Sequence, residues 1–202
     1  MIFIGVTGGI GSGKSTVCSL FEKKGIPIFY ADKIAKEISD GPAIDEIAAA
    51  FGKDILTDNG SLDRKKLSGI VFQDPEKLEV LNGIIHPKVF DAFELWKTSG
   101  LGSTNYALVE AALMFESGMF ELLEYVLAVI ADESSRIGRV VERDAVTEES
   151  VLARIKNQIS YEELLELSDF QLTNNGALSD LNSKVNFFHT LFSNLKPPKE
   201  LE

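Results

Sequence analysis

Short apolar runs separated by longer amphipathic stretches extend along this chain, and their alternation sets the expected architecture. Residues 2–6 (IFIGV), 27–30, 106–110, 125–131 and 170–173 are apolar runs of strand length. Between them the apolar positions recur at helical spacing. These helical stretches are 15–24, ended by Gly25, then 43–51, 63–72, 75–85 and a further stretch after Pro87. A segment around 115–123, the charged region 133–167 and a last helix at 178–195, stopped by Pro197-Pro198, complete the pattern. Residues 54–62, with Asn59-Gly60, read as a turn-rich break, and 100–104 as a loop. Strands alternating with helices predict an α/β fold with a parallel sheet covered on both faces. The helical stretch between the second and third runs is too long for a simple crossover, so an inserted helical subdomain is expected there. The chain contains no internal repeat and no low-complexity tract.

Composition narrows the setting. At 202 residues, 45% hydrophobic and 25% charged, the chain is one globular domain or a core with small insertions. A net charge of −11 with no basic run argues against nucleic acid as a partner. No apolar stretch reaches the roughly 18 residues of a membrane span. The first strand begins at once, which leaves no room for a signal peptide. The single cysteine, Cys18, excludes an intrachain disulfide and suits a reducing compartment; it reads as a small buried apolar residue rather than a reactive thiol. The expected location is the cytoplasm.

Candidate chemistry begins at residues 8–16, GGIGSGKST. Gly8, Gly13, Lys14 and Ser15 satisfy the phosphate-loop pattern G-x-x-x-x-G-K-[ST], after a strand and before a helix as the motif requires. Backbone N–H groups across Gly9, Gly11, Ser12, Gly13 and Thr16 are expected to face a nucleotide phosphate at the positive end of that helix. Lys14 adds a mobile charge for the β- and γ-phosphates, and the Ser15 hydroxyl is placed to bind Mg²⁺.

Asp32 follows Lys14 by 18 residues, at the end of the second strand. Ligands of open parallel sheets sit beyond the strand ends, so a carboxylate there can accept a proton from an attacking hydroxyl. Directly before 33–39, it can instead cap a helix, a reading that its position beside a phosphate site makes the weaker one. Glu110 ends the third strand, where it can help hold Mg²⁺ through water, orient substrate, or serve as a simple polar strand end. Of five arginines, four lie between 136 and 154. Arg136, Arg139 and Arg143 are spaced i, i+3, i+7 on one helical face; Arg154 and Gln158 repeat the i, i+4 relation on the next helix, which starts near Thr147. Arginine offers phosphate a planar fork of donors, so the two helices look like a lid over polyphosphate. Glu133, Glu142, Glu148 and Glu149 keep open a solvated pair laced with salt bridges. Neither His86, which precedes the helix-breaking Pro87, nor His189 has a partner at metal-ligand spacing.

The N-K-x-D and D-x-x-G signatures of GTPase switches are absent, and the chain is short for a large ATPase, which leaves the small kinases. From residue 4 to about 177 it resembles the dephospho-coenzyme A kinases. The matching elements are the phosphate loop from Thr7 to Thr16, Ala31-Asp32-Lys33, Leu62-Asp63-Arg64 with Val71-Phe72, and Ile85-His86-Pro87. They continue with Glu110-Ala111-Ala112-Leu113-Met114-Phe115-Glu116, Glu142-Arg143-Asp144, Arg154-Ile155 with Gln158, Ser168-Asp169-Phe170 and Asn174-Asn175-Gly176. The His-Pro step and the Leu-Met-Phe-Glu run are the family-specific ones.

The resemblance implies a three-layer P-loop kinase core (1–32, 105–132 and 168–197), a helical coenzyme A-binding insertion (about 33–104) and a helical lid (about 133–160), as a monomer or weak homo-oligomer. It implies ATP with Mg²⁺, and phosphorylation of the ribose 3′-hydroxyl of dephospho-coenzyme A, the last step of coenzyme A biosynthesis. It makes Lys14, Asp32 and Arg143 catalytic, and adds Arg139, Arg143 and Asn175 to the ATP-binding loop. Asp32, Arg64, His86, Glu110 and Leu113 then bind the acceptor. The chain departs from the family pattern at Tyr30, Glu110 and Ala112, where Asp, Asp and Pro are usual, and in the acidic run 162–167. The alternatives are another small-molecule or nucleoside kinase, or a nucleotide-sensing protein on the same fold.

Lys14→Ala is expected to abolish nucleotide-dependent turnover and to leave the melting temperature without nucleotide almost unchanged. Near-wild-type turnover in that variant would remove the loop from the mechanism.

Overall fold

The apolar runs become strands, and those at the centre of the sheet are covered on both faces. In the computed structural model, which describes residues 1–71, 73–156 and 158–196, β1 (Ile2–Thr7), β2 (Ile28–Tyr30), β3 (Tyr106–Glu110), β4 (Tyr125–Ile130) and β5 (Phe170–Thr173) form one sheet in the order β2-β3-β1-β4-β5. β1 lies at its centre and pairs in parallel with β3, Ile4 opposite Leu108, and with β4, Val6 opposite Leu127. Every residue of β3 is buried, which is why these strands read as continuous apolar runs rather than alternating ones. Helix α1 (Lys14–Glu22) packs on α9 (Leu178–Ser193) through Phe21 and Phe192, whose stacked rings lie 6.1 Å apart. Tyr106 joins them from β3, and its hydroxyl lies 2.8 Å from His189 Nδ1, which gives that histidine a structural partner.

Two compact units are present: Met1–Phe29 with the described residues from Leu101 onward, and Tyr30–Gly100. The second unit consists of α2 (Ala31–Asp40), α3 (Ile44–Phe51), α4 (Arg64–Val71) and α5 (Pro75–Lys97), with a bridge between Leu56 and Leu62 around the Asn59-Gly60 turn. Helix α5 packs on α2, α3 and α4. The first unit also holds α6 (Glu133–Asp144), α7 (Glu148–Ile155) and α8 (Tyr161–Leu167).

The structure corrects four local expectations. Pro87 does not end a helix, because α5 runs through it. Proline there removes one internal hydrogen bond, at a cost of about 3 kcal/mol. Continuing the helix buries Val89 and Phe93, and each such side chain contributes about 1.5–3 kcal/mol. Burial therefore outweighs the break. Asp32 is neither a strand end nor a cap: β2 stops at Tyr30, and Asp32 lies in the first turn of α2, where a carboxylate suits the helix dipole. The segment around 115–123 forms turns and a 3₁₀ turn, Met119–Leu122, after Gly118 at φ +78°. The charged region is three helices, interrupted at Ala145 with φ +52° and restarted at Ser160, whose hydroxyl and Glu163 form a capping box for α8. Phe72, expected within a helix, and the Pro197-Pro198 stop lie outside the described residues.

His86 lies half-buried on α5 with its ring 6.2 Å from that of Phe90, and burial pushes its pKa below the usual value. Unfolding therefore raises its affinity for a proton. Its contribution to stability is complete above about pH 6.5 and is lost as the pH falls through the lower folded value. In urea unfolding across a pH series, His86→Gln should lose less stability than wild type between about pH 7 and pH 5. Parallel curves would show that the histidine is not titrating with folding.

Candidate active site

The loop between β1 and α1 is shaped by neighbours that leave no room for side chains. Gly13 has φ +96°, and a Cβ there would stand 2.3 Å from Asn174 Nδ2. A Cβ on Gly11, at φ +78°, would collide with the backbone oxygen of Arg136. Helix α1 begins at Lys14 with no acidic residue in its first turn, so unsatisfied N–H groups and the helix dipole together favour an anion. Lys14 is 9% exposed and donates from Nζ to Gly8 O at 2.8 Å. The Ser15 hydroxyl donates to Glu110 Oε1 at 3.4 Å, and Glu110 is buried at the end of β3. One turn further along α1, burial first and the Glu110 charge second push the Cys18 thiol well above its ordinary pKa, with Lys14 acting in the opposite sense. Cys18 is a buried, packed residue, and the shift disfavours the thiolate.

A second group of side chains closes on the same loop from α6, β5 and the segment after α7. Asn174, buried at the end of β5, donates from Nδ2 to Ser12 O at 2.8 Å. Arg139 donates to Gly11 O at 3.3 Å and to Asn174 O at 2.8 Å. Gln158 accepts the Ile10 N–H at 2.8 Å. Asn175 turns the other way and accepts the Asp132 N–H at 2.9 Å. Arg136 is 11% exposed, and Glu133 at 3.8 Å is its ion-pair partner. Its Nε is buried with no hydrogen-bond partner among the described residues. Asn174 was visible only as part of the Asn174-Asn175-Gly176 motif, and its contact with the loop, 162 positions away, was not.

Arg143, two turns beyond Arg136, is 64% exposed and binds Asp144 through Nε at 2.7 Å and Nη2 at 3.1 Å. Asp144 also receives Arg154 at 3.2 Å. The Arg143 guanidinium holds the Asp144 carboxyl below the usual carboxylate range, with Arg154 adding to the effect. The face of α6 is therefore graded, with Arg136 and Arg139 against the loop and Arg143 out on the surface.

A cavity of about 420 Å³ adjoins the loop, lined among others by Gly8, Gly9, Ala131, Arg136, Gln158 and Leu164. Leu113, in the turns after β3, is 39% exposed. The remaining candidates belong to the second unit. Asp32 is in the first turn of α2. Arg64 opens α4 and ties it to α2, with an ion pair to Asp40 at 2.8 Å and a hydrogen bond to Lys36 O at 3.0 Å. His86 is on α5 against Phe90.

The family model for dephospho-CoA kinase matches residues 2–180. The chain belongs to the dephospho-CoA kinase family. A dephospho-CoA kinase of Fusobacterium nucleatum is 43% identical over 189 residues, covering 93% of this chain and 97% of that one. Among solved structures, a Thermus thermophilus protein superposes with a TM-score of 0.83 at 33% identity, covering 96% and 98% of the two chains. The dephospho-CoA kinase of Campylobacter jejuni superposes with a TM-score of 0.68 at 32% identity, covering 95% and 96%. The dephospho-CoA kinase likeness therefore spans both compact units.

The gradient along α6 has a dynamic consequence. Amides of 136–140, held on the loop, should exchange slowly with or without ligand, whereas 143–156 should be protected only when a non-hydrolysable ATP analogue and dephospho-coenzyme A are present. Hydrogen exchange read by mass spectrometry checks this. Uniform ligand-induced slowing across 133–160 would mean that the whole segment moves as one body.

Proposed function

We propose that this chain transfers the γ-phosphoryl group of ATP to the ribose 3′-hydroxyl of dephospho-coenzyme A, completing coenzyme A. The observation that carries the reading is the family match over residues 2–180, and the loop geometry agrees with it. The loop N–H groups of Gly9 and of Gly11 to Thr16 hold the phosphates, and Lys14 leaves Gly8 O to reach the β- and γ-oxygens. Arg139 joins them from α6, and Asn175 borders the nucleotide after β5. Arg143 closes over the transferring group after leaving Asp144.

Mg²⁺ fits the donors present. The Ser15 hydroxyl is a hard oxygen ligand, the Glu110 carboxylate 3.4 Å from it can hold the ion through water, and phosphates complete such a shell. Among the described residues no cluster of three His, Cys, Asp or Glu offers another metal cage. When bound, the ion neutralises charge on the phosphate oxygens. Residues 33–104 serve as the acceptor-binding insertion, in which Arg64 and His86 contact the acceptor, while Glu110 and Leu113 approach it from the core. Residues 133–160 act as the lid. Asp32 is the base that takes the hydroxyl proton. A single cysteine supports a cytoplasmic setting, and no described helix is long and apolar enough to cross a membrane.

ADP release measured with ATP and dephospho-coenzyme A, against nucleosides and other hydroxyl acceptors, tests the reading; turnover with another acceptor alone would overturn it. Asp32→Asn keeps the shape and removes the charge, and loss of a positioned base costs about 10²–10⁴-fold. A kcat within about ten-fold of wild type would reduce Asp32 to an orienting role.

A further inference from the structure

The arginines have a part in the proposed function, whereas Gln158 has none. Its side chain lies 2.8 Å from Ile10 N, reaching across 148 positions of sequence. A backbone N–H can only donate, so the atom that faces it is the carbonyl oxygen, Oε1. The Nε2 group then retains two N–H donors, for which no acceptor is present among the described residues. Gln158 lines the 420 Å³ cavity together with Gly8, Gly9 and Arg136. Arg136 brings a second unused donor, its buried Nε. Two carboxylates, Glu133 and Glu162, share the lining with two cations, Arg136 and Lys156, so the walls carry no net repulsion for an anion.

Arg136 Nε is buried, where a donor left unpaired is costly; Gln158 is only part-buried, so its Nε2 can exchange water for an oxygen acceptor on a ligand. Glutamine is suited to such a place for a chemical reason. It accepts from the loop and donates to a ligand while staying neutral, whereas glutamate can only accept and lysine or arginine can only donate.

We propose that Gln158 is a substrate-binding residue that works in two directions. Its Oε1 fixes the Ile10 peptide of the phosphate loop, and its Nε2, beside the buried Arg136 guanidinium, donates to a phosphoryl oxygen of the substrate in this cavity. Loop order and ligand binding are thereby coupled through one side chain. The proposal rests on the phosphotransfer reading only in requiring a phosphate-bearing ligand. It holds equally for any acceptor, so turnover of dephospho-coenzyme A tests the function and the following measurements test Gln158.

The experiment uses the full chain with Gln158→Glu and Gln158→Met, each first shown to melt as wild type does. Exchange of the Ile10 amide is read by NMR without ligand. Affinity is read separately for a non-hydrolysable ATP analogue alone and for dephospho-coenzyme A alone. Gln158→Glu should keep Ile10 protected, since a carboxylate still accepts, yet lose affinity by about ten-fold or more, the worth of a hydrogen bond to a charged group. Gln158→Met should lose both the protection and the affinity. A loss confined to the ATP analogue assigns the anion to the nucleotide, and a loss confined to dephospho-coenzyme A assigns it to the acceptor's pyrophosphate. The proposal is overturned if Gln158→Glu binds both ligands as wild type does, or if Ile10 exchanges at the same rate in Gln158→Met.

Discussion

The structure depends on a stretch of backbone that must approach both a ligand and its own neighbours without side chains intervening. Residues 8 to 14 turn from the central strand into α1 between Asn174 on one side and Arg136 on the other, each close enough to exclude a Cβ at the facing glycine. A single parallel sheet makes this possible. It delivers the ends of β1, β3, β4 and β5 to one edge, so that Thr7, Glu110, Ile130 and Asn174 come from distant parts of the chain to border one loop.

Electrostatics follow from that packing. The chain carries a net −11, yet the loop is approached by Lys14, Arg136 and Arg139 while the acidic residues beside it are few. Glu110 is buried next to Ser15 and Glu133 sits beside Arg136. Buried charges are tolerated when they are partnered and hydrogen-bonded. Here Lys14 is satisfied by Gly8 O, which keeps a cation ready inside the protein without solvent around it. Further out, Arg143 is held by Asp144 in water, where an ion pair is weak enough to exchange for a phosphate.

Much of this was legible in the sequence, for physical reasons that differ by element. The three central strands were readable because burial on both faces removes polar residues, and the phosphate loop because its geometry demands glycine at fixed spacing. The family itself was legible through short motifs scattered over nearly the full chain. What failed was local reasoning overruled by packing. Pro87 looks like a helix end until Val89 and Phe93 are seen to extend the buried stripe beyond it. The placement of Asp32 turned on whether Ala31 belonged to a strand or a helix, and Ala31 is the first residue of α2. Spacing picked out Gln158 as a helix-face partner of Arg154, but α7 ends at Ile155, and both Gln158 and Asn174 meet the loop across well over a hundred positions, a contact that no periodicity announces. The arginine face was visible, but its grading was not, since spacing places residues on a side of a helix without saying how far that side stays covered.

The contact between Gly11 and the carbonyl of residue 136 also bears on how such a chain can change over generations. A methyl group at position 11 would collide with that backbone oxygen, at a φ of +78°. Every amino acid carries a carbonyl, so no substitution at 136 opens that space. The Arg136 guanidinium over Gly9 is instead the end of a flexible side chain, which can swing aside. One glycine of the loop is thus closed to change whatever stands at 136, while its neighbour two positions earlier is open to it.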